Sequence, residues 1–86
     1  MIEELRKEID KIDSELIKLL AKRMELAVQI GNEKKTTGEE VHQKTREMRV
    51  LDTAKLLADS LGLSESFVTD LYALIFTESR KVQGEG

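Results

Sequence analysis

The sequence predicts an all-α fold of three helices per chain, one long and two short, an architecture that almost requires a homodimer. Three observations predict the helices and the need for a partner. Proline is absent, aromatic residues make up 3% and charged residues 36% of the chain, a profile of helices packed on helices. Apolar residues recur at alternating spacings of three and four, at Ile2, Leu5, Ile9, Ile12, Leu16 and Leu19 and again at Leu26 and Ile30. That is a heptad seam of a long helix packing along its length. With 86 residues and no cysteine, the chain is one domain near the lower limit for a self-sufficient core, with neither disulfide nor structural zinc to staple it. Oligomerisation is the expected source of the missing buried surface.

Helix 1 is expected over residues 2–35, roughly 50 Å long at 1.5 Å per residue. Gly31 is its weak point, and Thr36, Thr37 and Gly38 end it. Two short helices cannot cover it, whereas a second copy of the same helix can. Helix 2 is expected over 42–60, with Thr45, Met48, Leu51, Ala54, Leu57 and Ala58 on its inner face. Gly62 reads as a left-handed C-terminal cap and Ser64 as the N-cap of the next helix, with Glu65 in its first turn. Helix 3 follows over 65–83, with Phe67, Leu71, Leu74, Ile75 and Val82 inward.

Lys and Arg total 14 against 17 Asp and Glu, a net charge of -3. The charges are interspersed, which disfavours a nucleic-acid or anionic-membrane surface. The acidic amino-terminal stretch does not read as a signal peptide, and every apolar run is too short to span a membrane. A soluble cytoplasmic protein is expected.

Several polar side chains fall where the pattern points inward. Arg23 occupies a seam position that the rhythm assigns to an aliphatic residue. A guanidinium there is costly unless it meets an acidic partner or an anionic ligand. Eleven residues return a helix to within about 20° of the same direction, so Arg23 and Lys34 project to one side about 16 Å apart, with small Ala27 between them. On helix 3 the ridge of Leu71 and Ile75 continues into Ser79 and Gln83. On helix 2, Glu47 borders the buried face beside Arg46. Each has a plainer explanation. Arg23 can set register in an ordinary coiled coil, Lys34 can answer the helix dipole, and Ser79 and Gln83 can form a solvated last turn. Glu47 can pair with Arg46, Arg49 or Arg23, while Asp10, Lys11 and Asp13 read as surface charges. His42 with Glu39 and Glu40 makes a poor metal site, and no metal or cofactor is expected. Taken together, cations and neutral hydrogen-bonding groups with one carboxylate suit a small dianion and a reaction that needs no nucleophile.

These residues resemble the all-helical chorismate mutase family over nearly the whole chain. The carrying segments are Leu5-Arg6-Lys7-Glu8-Ile9-Asp10-Lys11-Ile12-Asp13, Leu19-Leu20-Ala21-Lys22-Arg23-Met24-Glu25-Leu26-Ala27, Ile30-Gly31 with Lys34, Arg46-Glu47, and Thr77-Glu78-Ser79 with Gln83. The resemblance implies an intertwined dimer and a cofactor-free Claisen rearrangement of chorismate to prephenate. It implies that Arg23 binds a substrate carboxylate from the same subunit and Arg6 a second carboxylate from the neighbouring one. By the same resemblance Lys34 and Gln83 contact the ether oxygen, Glu47 the ring hydroxyl and Ser79 the ring carboxylate, with Arg46 ordering Glu47. Gln43 stands where the family has an aspartate near that hydroxyl. The chain ends three residues after Gln83, where fraying is expected. Arg6 and Arg23 are 17 residues apart, about 25 Å along one helix and roughly 100° apart in direction, so they cannot grip one small molecule from the same chain. The competing readings are an isochorismate–pyruvate lyase on the same scaffold and a non-enzymatic helical dimerisation module.

Overall fold

The structure, a computed structural model, describes residues 1–37 and 43–84. Three helices follow in order: α1 (Ile2–Thr37), α2 (Gln43–Ser60) and α3 (Glu65–Val82). Among the described residues there is no strand. Among the described residues no helix is long and apolar enough to cross a membrane.

Helix α1 meets no glycine before Gly31 and no proline at all. It carries Glu3 and Glu4 in its first turn and Lys34 and Lys35 in its last, each sign answering the helix dipole. It continues two residues past the expected end at 35, because threonines weaken a helix without stopping it. Gly38, the expected stop, and His42, the expected start of the second helix, lie outside the described residues, as do Glu39 and Glu40.

The 36 residues of α1 span about 54 Å, and the molecule's longest dimension is 55 Å. Helices α2 and α3, of 18 residues each, are half as long. Helix α3 packs on both of the others, and it meets the carboxyl-terminal half of α1. The seam of the amino-terminal half therefore stays open, with side chains from Leu16 at 52% to Leu19 at 67% exposed.

The inner faces of the short helices differ from expectation. On α2 the covered ladder is Glu47, Val50, Leu51, Ala54 and Ala58, while Thr45, Met48 and Leu57 are exposed. On α3 the chain buries Val68, Ile75, Phe76 and Ser79 and half-buries Tyr72 and Val82, leaving Phe67 57% and Leu74 72% exposed. Helix α3 is thus turned by about one residue, or 100°, from the predicted orientation. It is apolar on two sides, and periodicity alone does not say which side meets its own chain.

The turn between α2 and α3 is specified locally. Gly62 has φ +77°. Its N–H donates to Asp59 O at 3.3 Å while Leu63 N–H donates to Ala58 O at 2.8 Å, the paired bonds of a Schellman cap. Ser64 follows as N-cap, its Oγ accepting from Phe67 N–H at 3.3 Å. A Cβ at Gly62 would meet nothing within 4 Å, so Gly62→Ala carries only the backbone penalty of a left-handed residue. We expect a loss of about 1 kcal/mol, read as a fall of roughly 4–8 °C in the unfolding midpoint with unchanged helical content.

Candidate active site

Three ladders at helical spacing converge where the helices meet. Helix α1 contributes Arg23, Ala27, Gly31 and Lys34, α2 contributes Gln43 and Glu47, and α3 contributes Phe76, Ser79 and Gln83. Between them lies a cleft of about 370 Å³, at the small end of the usual range for small-molecule sites. Its lining is apolar at Leu26, Ala27, Ile30, Val50 and Phe76 and polar at Arg23, Gln43, Arg46, Glu47, Ser79 and Gln83.

Arg23 is half-buried. Its Nη1 donates to Ser79 Oγ at 2.8 Å, and its guanidinium carbon lies 6.0 Å from the centre of the Tyr72 ring. Tyr72 in turn packs on Phe76, with ring centres 5.6 Å apart. A hydroxyl and an aromatic face orient this cation without neutralising it. The register-setting reading asks Arg23 only to sit in a seam, whereas here α3 holds it at the edge of a cleft.

Lys34 Nζ donates to Gln83 Oε1 at 2.9 Å and to Gln43 Oε1 at 3.1 Å, joining all three helices. Arg23 and Lys34 leave α1 about 16 Å apart but bond to residues only about 6 Å apart on α3, so the partners ascend together along two crossing helices. Gln83 is 9% exposed, and its backbone N–H is bonded to Ser79 O at 3.0 Å. The Gln83 side chain is tied into the cleft through Lys34. Among the described residues no buried side-chain nitrogen or oxygen lacks a partner, and no cluster of acidic or histidine side chains could hold a metal ion.

Glu47 departs from every expected pairing. Its Oε2 lies 2.5 Å from Arg80 Nη1 on α3, so its partner is none of Arg46, Arg49 and Arg23. Arg46 is consecutive with Glu47, and neighbours one or two apart on a helix point away from each other. Arg6 stays outside the cleft in its own chain, exposed and 3.7 Å from Glu3. The structure therefore brings together Arg23, Lys34, Gln43, Arg46, Glu47, Ser79 and Gln83, and leaves Arg6 apart.

Two residues acquire roles that the sequence did not disclose. Arg80 is not among the residues that the sequence singles out, yet it holds Glu47 across α3 and α2. Gly31 read as a weak point, yet a Cβ there would lie 2.6 Å from Gln83 O and 2.8 Å from Gln83 Cα. Its lack of a side chain is what lets the end of α3 lie on α1. The available signal was its place between Ala27 and Lys34 on the cationic face, where two small residues in succession mark a close helix crossing.

The all-helical scaffold thus frames a cleft that combines cationic side chains, neutral hydrogen-bonding groups and, among the described residues, one carboxylate. The family profile described as chorismate mutase type II matches residues 5–84. The chain is 37% identical to the T-protein of Haemophilus influenzae over 91% of its own length but 21% of that protein. It is 35% identical to the 4-amino-4-deoxychorismate mutase of Streptomyces venezuelae, covering 95% of this chain and 80% of that one. It is 26% identical to the chorismate mutase of Methanocaldococcus jannaschii over 93% of this chain and 81% of that one. The chain thus spans about a fifth of the T-protein and about four-fifths of the two shorter relatives. No solved structure matches it. The chain belongs to the chorismate mutase type II family.

Glycine to alanine inside a helix ordinarily stabilises by about 1 kcal/mol. At Gly31 we expect the opposite sign. Gly31→Ala should lower the unfolding midpoint and speed hydrogen exchange of the amides of residues 79–83, because the new methyl displaces the backbone of Gln83.

Proposed function

We propose that this chain is a chorismate mutase, an isomerase that rearranges chorismate to prephenate in phenylalanine and tyrosine biosynthesis, and that it works in the cytoplasm as a homodimer. The observation that carries the reading is the meeting of Lys34 and Gln83 beside Arg23 in one cleft, on a scaffold of this family. One relative's name denotes a substrate in which an amino group replaces the ring hydroxyl. Our reading for this chain is the hydroxyl substrate.

The reaction breaks the ether C–O bond and forms a C–C bond within one molecule, with no covalent intermediate and no cofactor. Cleavage running ahead of bond formation builds negative charge on the ether oxygen. Lys34 and Gln83 are the donors for that charge. The amide oxygen of Gln83 is already taken by Lys34, so the amide offers its Nε2–H₂ edge to substrate while the ammonium stands beside it. Donors set in advance stabilise the transition state more than the ground state. Arg23 receives one carboxylate, and Ser79, bonded to it, touches the ring carboxylate. Glu47 accepts a hydrogen bond from the ring hydroxyl, with Gln43 and Arg46 on the same wall. Clamping both carboxylates favours the compact conformer from which the bond forms. A million-fold acceleration asks these groups for roughly 8 kcal/mol in all.

The second carboxylate needs Arg6, and Arg6 must come from another copy. The single chain is poorly closed in a way that supports this. Its accessible surface is 7136 Å², against about 5200 Å² for a folded monomer of this mass. Its radius of gyration is 15.8 Å, against about 12 Å for a compact chain of this length. The excess of about 2000 Å² is on the scale of an obligate dimer interface, and the exposed apolar residues include the α1 seam and Phe67 and Leu74 of α3. Antiparallel pairing of two α1 helices carries Arg6 of one chain toward the cleft of the other.

Loss of chorismate absorbance, with prephenate confirmed by acid conversion to phenylpyruvate, tests the activity. Arg23→Ala and Arg6→Ala should each lower kcat/KM by at least about a hundredfold. Mixing the two inactive variants should return about a quarter of the sites, since each mixed dimer holds one intact site and one doubly altered site. No recovery from exchanging dimers would exclude a shared site.

Because Gln83 is an amide and does not titrate, turnover should not require acid. The expected profile shows no steep rise as pH falls below neutrality, and a steep rise there would remove Gln83 as the donor to the ether oxygen.

A further inference from the structure

The ion pair between Arg80 and Glu47 has no part in the chemistry above. Glu47 lines the cleft from α2 with its side chain 19% exposed, and Arg80 reaches it from α3 with Nη1 2.5 Å from Oε2. The carboxylate that meets the ring hydroxyl therefore carries its own counter-charge. One helical turn earlier on the same wall stands Gln43, a neutral amide. The other charged side chains at the cleft among the described residues are cationic: Arg23 and Lys34 from α1 and Arg46 from α2.

We infer that Arg80 is a positioning residue that sets substrate specificity: by holding and neutralising Glu47, it makes this wall accept a neutral hydroxyl and reject a cationic amino group at the same ring carbon. The inference rests on the chorismate reading and deepens it. A hydroxyl and an ammonium differ little in size, so a pocket separates them by charge. An unpaired carboxylate serves both, and it holds the ammonium more strongly. A carboxylate already bonded to a guanidinium keeps lone pairs that can accept from a hydroxyl. An ammonium on the same carboxylate stands beside Arg80 in a partly desolvated cleft that already holds three further cations, and like charges so placed oppose binding. An aliphatic amine is mostly protonated at neutral pH, so the amino substrate arrives in the form this wall disfavours.

The test compares kcat/KM for chorismate and for 4-amino-4-deoxychorismate, from neutral pH to about pH 9, in the wild type, Arg80→Gln and Arg80→Lys. The wild type should prefer chorismate. Its use of the amino substrate should climb with pH as the substrate loses its proton, while its use of chorismate should not follow that rise. Arg80→Gln should move the ratio toward the amino substrate by about tenfold or more, and Arg80→Lys should keep it near the wild-type value. A role confined to tethering α3 to α2 predicts equal losses for both substrates, an unmoved ratio and parallel pH profiles, and that result overturns the inference. A wild type that prefers the amino substrate overturns it too. Should Arg80→Gln fail to fold, the two wild-type pH profiles decide the matter, and parallel profiles count against the inference. Turnover of neither substrate removes the chorismate reading together with the inference. Turnover of chorismate without selectivity removes the inference alone.

Discussion

The ammonium of Lys34 is where the three helices meet, with Gln83 of α3 at 2.9 Å and Gln43 of α2 at 3.1 Å. Both contacts depend on how closely α3 can lie on α1, and that closeness depends on Gly31, beside which Gln83 backbone atoms occupy the space a side chain would need. The same crossing buries Ala27 and brings Ser79 to Arg23 at 2.8 Å. A single close approach thus positions both cations of α1 and both of their partners on α3. Helix propensity alone favours any other residue except proline at position 31. The glycine is explained by what packs on it.

Around this crossing, the distribution of charge defines what the cleft can hold. Arg23 is oriented by a hydroxyl and an aromatic ring, neither of which removes its charge. Glu47, by contrast, is neutralised within the protein by Arg80. Among the described residues the cleft thus combines a cation oriented by neutral groups with a carboxylate already paired to a guanidinium. Such an arrangement suits a reaction in which negative charge develops on a substrate oxygen and no proton or nucleophile need be exchanged.

The mismatch in helix length is the second organising constraint. A helix of 36 residues is met along its carboxyl-terminal half by a helix of 18. The seam residues of the uncovered half, from Ile2 to Leu16, are more than half exposed. Apolar rows of this regularity are stabilising only when another surface covers them. The same half carries Arg6, which stands exposed beside Glu3 and apart from the cleft of its own chain.

Much of this was determined by the sequence alone. The seam spacing and the absence of proline define a long first helix, and Gly62 and Ser64 terminate one short helix and start the next through local bonds. The inward polar residues Arg23, Lys34, Glu47, Ser79 and Gln83 were legible because each interrupts an apolar face or extends one at helical spacing. Only the tertiary structure decided which side of α3 faces its own chain, because that helix is apolar on two sides and periodicity ranks neither. It also decided that Arg80 rather than Arg46 neutralises Glu47, since ion pairs between helices depend on rotation about each axis, which no spacing along one helix encodes. The meaning of Gly31 came from the same source: a missing side chain has a reason only when the neighbour that fills its place is known.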